Sequence, residues 1–364
     1  MAIADVKEYT HLTAEEVEEI GRRLDELRAR IEASRNAEDA AYIHRVIRVQ
    51  RGLAFAGRVA MAVGAWAPKE RKAVRRGAVV GGTALLGVAK ILENMEIGHN
   101  VMHGQWDWMN DPEIHSSTWE WDTAQPAEQW KHSHNYVHHQ FTNVLGYDND
   151  IGYGILRMAR EQKWHPANLG QPVYNSLLAL LFEWGVALHD LDIERIRKLE
   201  KDPVEIIFCG HFPDGALHFT EEQVEDETRA EWYLRQMLGA ANFDGGRLLH
   251  VLSGSLGFQI EHHLLPDLPS NRYPEIAVEV RKLCTEFGIP YTTGPLYRQY
   301  GQALRTITLL SLPNSMTQHA SEKYGAVEPP TAEVTDRGRK SDDERPTRRT
   351  ELGGWSRAGA SARA

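Results

Sequence analysis

The sequence predicts an all-α chain with apolar helices suited to a membrane and a cluster of histidines, and three observations predict it. Apolar residues recur at helical spacing between positions 12 and 32. Long apolar runs occupy residues 52–66, 77–92 and 174–188. Histidine is over-used, with 17 copies in 364 residues, seven of them between positions 99 and 139.

The first element is an amphipathic helix over residues 12–32. Thr13 and Glu16 fit a capping box, and Leu12 with Val17 fits a hydrophobic staple. Val17, Ile20, Leu24, Leu27 and Ile31 then form one apolar stripe. The runs 52–66 and 77–92 follow, each with one base inside it, Arg58 and Lys90. Both are slightly short of the roughly 20 residues that cross a bilayer, and their Gly and Ala content suits closely packed membrane helices. The basic stretch between them holds Lys69, Arg71, Lys72, Arg75 and Arg76. The run 174–188 carries Glu183, an ionisable group that needs a partner or a polar cavity at membrane depth. No secretory signal opens the chain, since polar sequence follows Met1. From about residue 321 onward charged and small residues dominate, the composition of a disordered tail. The domains read as an N-terminal amphipathic cytoplasmic region (1–50), a membrane domain (51–318) and a tail (319–364).

Composition excludes several classes. With 41 Lys and Arg against 51 Asp and Glu, the net charge is −10, the opposite of a general nucleic-acid binder. Two cysteines, Cys209 and Cys284, support neither a disulfide framework nor a four-thiolate metal site. A mean hydropathy of −0.47 argues against a chain made mostly of spans and leaves room for a few spans with large aqueous parts.

The chemistry lies in the histidines. His99 and His103 are four apart, which stacks both imidazoles on one α-helical face. His134 and His138 repeat that spacing, and His139 adds a ring at another angle. The third group is Gln259-Ile260-Glu261-His262-His263. His11, His44, His165 and His319 have no clustered partner and read as ordinary surface or core residues. Seven clustered imidazoles are too many for one structural zinc, which usually includes thiolates, and imidazole also suits iron, copper and nickel. Two metal ions in an all-nitrogen shell fit better. Carboxylate-bridged di-iron bundles need two Glu-x-x-His motifs. Here Glu96…His99 is the one such match inside a cluster, which leaves Glu96 as a candidate outer partner of a ligand. His-Glu-x-x-His is absent, against a zinc protease.

His-x3-His, His-x3-His-His and Gln-x2-His-His, in that order and flanking apolar runs, resemble the three histidine boxes of the membrane fatty-acid desaturases. Residues 254–266, Gly-Ser-Leu-Gly-Phe-Gln-Ile-Glu-His-His-Leu-Leu-Pro, carry the most specific match. The stretches 93–112, 134–154, 208–215, 232–242 and 259–272 resemble the family's mycobacterial stearoyl-CoA branch. The resemblance implies an all-α desaturase-type membrane domain with a cytoplasmic di-iron cap. It implies two iron ions held by His99, His103, His134, His138, His139, His262 and His263, the catalytic set, with His211 as an additional metal ligand. It implies O₂-dependent introduction of a cis double bond, at the delta-9 position, into an acyl-CoA or acyl-lipid. The chain would be multi-pass in the cell (inner) membrane, in contact with lipid, with its boxes facing the cytoplasm and no role for nucleic acid. No His-Pro-Gly-Gly haem motif and no Gly-x-Gly-x-x-Gly fingerprint is present. Electrons then come from an external NAD(P)H-dependent reductase or a ferredoxin. A related di-iron hydroxylase and a truncated, inactive relative are the alternative readings. Trp106, Trp108, Trp119 and Trp121 read as walls of an acyl tunnel or as interfacial aromatics.

Two features depart from the family. The interval from His139 to His262 lacks about a span's worth of residues. An odd number of spans there would separate the third box from the others by about 30 Å of hydrocarbon. Two arrangements avoid this: residues 174–188 pack as a buried or re-entrant helix rather than span, the favoured one, or residues 206–212 join an irregular return buried in protein. The basic stretch 69–76 also conflicts with a cytoplasmic N-terminus followed by two full spans. Leu265 stands where the family usually has an aromatic residue.

Overall fold

The computed structural model describes residues 6–121, 126–148, 151–152, 155–181 and 216–317. His211, Glu183, Cys209 and the tail lie outside them. Among the described residues the structure is helical, with one two-stranded parallel sheet of three residues a strand, β1 (Asn242–Asp244) and β2 (Thr293–Pro295).

Helix α1 spans Ala14–Ser34. Its capping box forms as the sequence predicts, with Thr13 N–H donating to Glu16 at 2.7 Å and Glu16 N–H to the Thr13 hydroxyl at 3.2 Å. The stripe Val17, Ile20, Leu24, Leu27 and Ile31 is buried. It shares one core with α5 (Arg229–Gly239), with α6 (Gln259–Leu264), which bears the third box, and with α7 (Tyr273–Phe287). The approach to α5 requires a glycine: a Cβ on Gly21 would lie 2.7 Å from that of Ala230.

Helix α2 (Ala37–Trp66) runs unbroken through residues 50 and 51, so the expected domain boundary falls inside a helix. The N-terminal helix α1 packs on the main body, in the third-box core. Helix α3 (Lys72–Ile91) returns along α2. Small residues set their distance: a Cβ on Gly57 would meet Leu86 at 2.8 Å and one on Gly64 would meet Val79 at 2.7 Å, the kind of contact that brings membrane helices close. Phe55, Val59, Trp66 and Val80 point outward and are exposed. Among the described residues one helix, Lys72–Met102, is long and apolar enough to cross a membrane. The sequence predicted two such spans here.

The run that begins at 174 forms the latter part of α4 (Gln171–Leu180). Tyr174 and Leu178 pack with Ala303 and Ile307 of α8 (Leu296–Leu310), whereas Val173, Leu177 and Leu180 are exposed. Gln171 joins this pair, donating to the Arg157 and Ile307 carbonyls at 3.1 and 2.8 Å.

Candidate metal centre

The first histidine box opens at the end of a π-helical segment and runs on through one α-turn, His103 N–H donating to the His99 carbonyl at 3.1 Å, whereas the second box lies on a π-helical segment itself. The segment Leu92–His99 continues α3, and Lys131–His138 continues the short helix Ala127–Trp130. A π-turn bonds i to i+5 and takes up more residues than an α-turn, a distortion frequent at functional sites. The wider turn places residues i+4 and i+5 on either side of residue i. His138 and His139 therefore both lie with ring centroids 5.0 Å from that of His134, and 5.4 Å from each other. As the spacing predicts, the His138 ring stacks on His134 at an interplanar angle of 20°, and His139 stands at another angle, 85° from His134. The π-winding brings all three rings together.

The third box joins them. Gly254 has φ +67, and a Cβ there would lie 2.6 Å from the Met95 carbonyl oxygen, so only glycine lets this loop rest on the first π-turn. Helix α6 then brings the His262 ring to 4.9 Å from His99 and 4.7 Å from His103, and the His263 ring to 4.5 Å from His139 and 5.0 Å from His138. One ligand atom each of His99, His103, His134 and His262 lies within 4.8 Å of the others. His138, His139 and His263 form a second, adjoining group. No membrane thickness separates the boxes.

All seven rings are buried. Burial, and after it the neighbouring imidazoles, holds His103, His134 and His139 well below the usual imidazole value. They are therefore neutral, the form that binds metal. Trp130 covers the first group, stacked on His134 at 4.4 Å and edge-on to His99 and His103 at 5.5 Å.

Outer partners orient several rings. His138 Nδ1–H donates to Asp148, 3.0 and 3.2 Å from its two oxygens, and Asp148 also accepts the Asn143 N–H at 2.7 Å. His263 Nδ1 lies 3.2 Å from both the Thr142 hydroxyl and the Gln236 amide oxygen, and its Nε2 lies 2.9 Å from the Gln259 amide nitrogen, a contact that metal binding at Nε2 would replace. His99 Nδ1 faces the Asn100 amide oxygen at 3.3 Å, and His262 Nδ1 faces the Tyr273 hydroxyl at 3.1 Å. Arg235, buried and paired with Glu227 at 2.6 Å, donates to the Thr142 and Gln140 carbonyls that end the second box. Glu96 does not meet His99. Its carboxylate accepts from Tyr42, Ser255 and Ser270 at 2.7, 3.2 and 2.6 Å, tying α2 and the third-box loops to the first π-turn.

Comparison with known proteins bears on this arrangement. The fatty acid desaturase family model matches residues 203–295. The chain is 46% identical over 369 residues to the NADPH-dependent stearoyl-CoA 9-desaturase of Mycobacterium tuberculosis, an alignment covering 86% of this chain and 84% of the relative. This chain belongs to the fatty acid desaturase family. More distant relatives are the sn-1 linoleoyl-lipid 6-desaturase of Synechocystis, 25% identical over 60% of this chain and 76% of its own length, and the acyl-lipid (8-3)-desaturase of Mortierella alpina, 22% identical over 50% and 54%. No solved structure matches.

Membership makes the chain an oxidoreductase of lipid metabolism, and the buried four-histidine group is compatible with a metal ion. The donors fit one. His103 Nε2 and both ring nitrogens of His139 are buried and make no hydrogen bond among the described residues, a costly state unless another group binds them. His99 Nε2 lies 3.3 Å from His134 Nε2, so two nitrogens converge on one point.

The outer partners Asn100, Gln105, Tyr273, Asp148 and Gln236 escape a sequence reading, since no spacing rule marks a lone amide or hydroxyl. His218 escapes it too. It is fully buried, and burial lowers it to about 4 against the pull of Glu161 and Asp148. Of the four tryptophans, Trp106 is buried against Tyr42, Trp108 lies under Arg35, Trp119 is partly buried between two apolar clusters, and Trp121 packs edge-on to Trp130.

Proposed function

We propose that the chain is a membrane-bound acyl-CoA desaturase that introduces a cis double bond at the delta-9 position of a saturated acyl chain. The observation that carries this reading is the meeting of all three histidine boxes in one buried pair of imidazole groups. His99, His103, His134 and His262 would hold one iron. His138, His139 and His263 would hold the other, with His211 as a further ligand. An unactivated methylene offers no acidic proton, so side-chain acids and bases alone cannot attack it. Iron with O₂ and two electrons supplies the oxidising power for hydrogen removal.

The protein's own residues bind, orient and seal. Neutral imidazoles leave both ions more positive than carboxylates would. Asp148 fixes the His138 ring so that Nε2 faces inward. Trp130 and the apolar packing around the boxes exclude water. Lys72–Met102 runs from the exposed apolar hairpin into the first box, which supports placement of the centre at a membrane surface, in a multi-pass chain with its boxes toward the cytoplasm. Electrons come from a separate reductase, as the NADPH-dependent name of the mycobacterial relative suggests for that protein.

A second reading, a metal-binding relative without turnover, has its own support. The alignment with the mycobacterial enzyme runs over 369 residues, whereas 86% of this 364-residue chain is about 313. The relative therefore holds segments that this chain lacks, in keeping with the short interval between the second and third boxes. Turnover separates the readings. Membranes containing the chain are given stearoyl-CoA, a reductase, NADPH and O₂, and the lipids are analysed. An alkene lost in His138→Ala and kept in His165→Ala supports the desaturase. An alcohol identifies a hydroxylase. No product from iron-loaded protein supports the inactive relative.

A further inference from the structure

Gln105 lies two residues beyond the first box, fully buried. Its amide oxygen accepts the Ser270 N–H at 2.8 Å. A backbone N–H only donates, so this contact fixes which end of the amide is which. The amide nitrogen faces the Pro266 carbonyl and the Tyr273 hydroxyl, both at 2.9 Å, and the Asn100 amide oxygen at 3.2 Å. The Asn100 amide nitrogen donates to the Glu96 carbonyl at 3.0 Å, so both ends of that amide agree with the Gln105 contact. The Asn100 oxygen is thus the atom that His99 Nδ1 meets at 3.3 Å. His99 must then carry its proton on Nδ1 and present a lone pair at Nε2, the atom that converges with His134. The Tyr273 hydroxyl accepts from Gln105 at 2.9 Å and lies 3.1 Å from His262 Nδ1. When His262 offers its Nε2 lone pair to a metal its proton sits on Nδ1, and the Tyr273 hydroxyl is placed to accept it.

We propose that Gln105 is a positioning residue that sets the tautomer and ring orientation of both His99 and His262, through Asn100 and Tyr273, so that one amide readies ligands from two boxes for the same metal ion. The proposal rests on the metal-centre reading above. Gln105 acts on one group only. The partners of His138 and His263 are Asp148, Thr142, Gln236 and Gln259, none of them bonded to Gln105. Ser270 and Pro266 follow the third box, so the amide forms its full set of bonds only when that loop has docked. The site becomes fit for metal when the third box arrives.

The test uses the full chain, purified in detergent, stripped of metal and titrated with Co²⁺. Uptake is followed by ligand-field absorption, and thermal unfolding of each metal-free protein is recorded. Gln105→Met removes the amide at similar volume. Tyr273→Phe removes one link with little change of shape and is the safeguard against a variant that fails to fold. The unmutated protein should take up two ions. Gln105→Met should weaken one of them 10- to 100-fold, the range for outer partners of metal-binding histidines, alter its spectrum, and leave the other ion unchanged. Tyr273→Phe should weaken the same ion by less, and Gln105→Met should cost less in that background than alone, because the two act in series. Unchanged binding of both ions in both single variants overturns the proposal while leaving the metal centre intact. Equal weakening of both ions, with lower metal-free stability and additive effects, makes Gln105 a packing residue and also overturns it. No uptake by the unmutated, folded protein overturns the metal-centre reading and this inference with it.

Discussion

His138 and Asp148 form a ring-to-carboxylate pair at 3.0 Å, and both side chains are removed from solvent. The pair fixes the ring that the second box contributes to the second histidine group. Asp148 is itself held by the Asn143 N–H at the turn where the box ends. Asn143 has φ 59 there, and its side-chain amide donates to the Leu217 and Gly239 carbonyls at 2.9 Å. Box, turn and carboxylate are one unit.

Asp148→Asn keeps the volume and removes the charge that favours a donor at His138 Nδ1. One of the two metal ions should bind 10- to 100-fold more weakly, the other as before. Metal titration of the variant beside His165→Ala, which should bind like the unmutated chain, checks this.

The buried imidazoles predict a pH dependence for the metal-free chain. His103, His134 and His139 titrate well below the usual value when folded, because burial and their neighbours oppose the charge. Unfolded, they titrate near 6.5. Below that pH the unfolded state binds more protons than the folded one, so stability falls as pH falls and is fully present above about 7. Bound metal competes with those protons. Unfolding scans at pH 8 and pH 5.5, with chelator and with metal, should show a large acid loss of Tm in the stripped protein and a smaller one in the loaded protein.

Arg235→Met should be among the most destabilising single changes. It leaves Glu227 as an unpaired buried charge and takes donors from the Thr142 and Gln140 carbonyls. Breaking one side of such a pair costs about 3–5 kcal/mol. Denaturant unfolding in detergent reads it.

Two glycines should respond with opposite signs. Gly21→Val drives a side chain into Ala230 and should cost about 1–3 kcal/mol by overpacking. Gly52 lies on α2 with no atom within 4 Å of a new Cβ, so Gly52→Ala should stabilise by up to about 1 kcal/mol. Shifts of Tm in the two variants decide it.

Much of this molecule is legible in its residues. Thr13, Glu16 and the stripe from Val17 to Ile31 define α1, because capping and amphipathicity are local. The boxes are legible as spaced imidazoles. The π-turns are not. Nothing in Leu92–His99 or Lys131–His138 marks an extra residue in the turn; it arises from the way these segments pack, and it alone explains how His138 and His139 both face His134. The company of α1 is equally hidden, since an apolar stripe does not name its partner, and here the partner is the third-box core. The run 52–66 is legible as helix, but its extent is not, since it lies inside the 30-residue α2.

The central claim is that the three boxes build one centre for two metal ions. Metal content of the full chain, extracted from membranes in mild detergent and quantified per folded protein, tests it most directly. The account predicts two irons per chain, falling to one or none in His134→Ala. A folded, monodisperse protein that holds no iron, and takes up none when Fe²⁺ is supplied without oxygen, would contradict it.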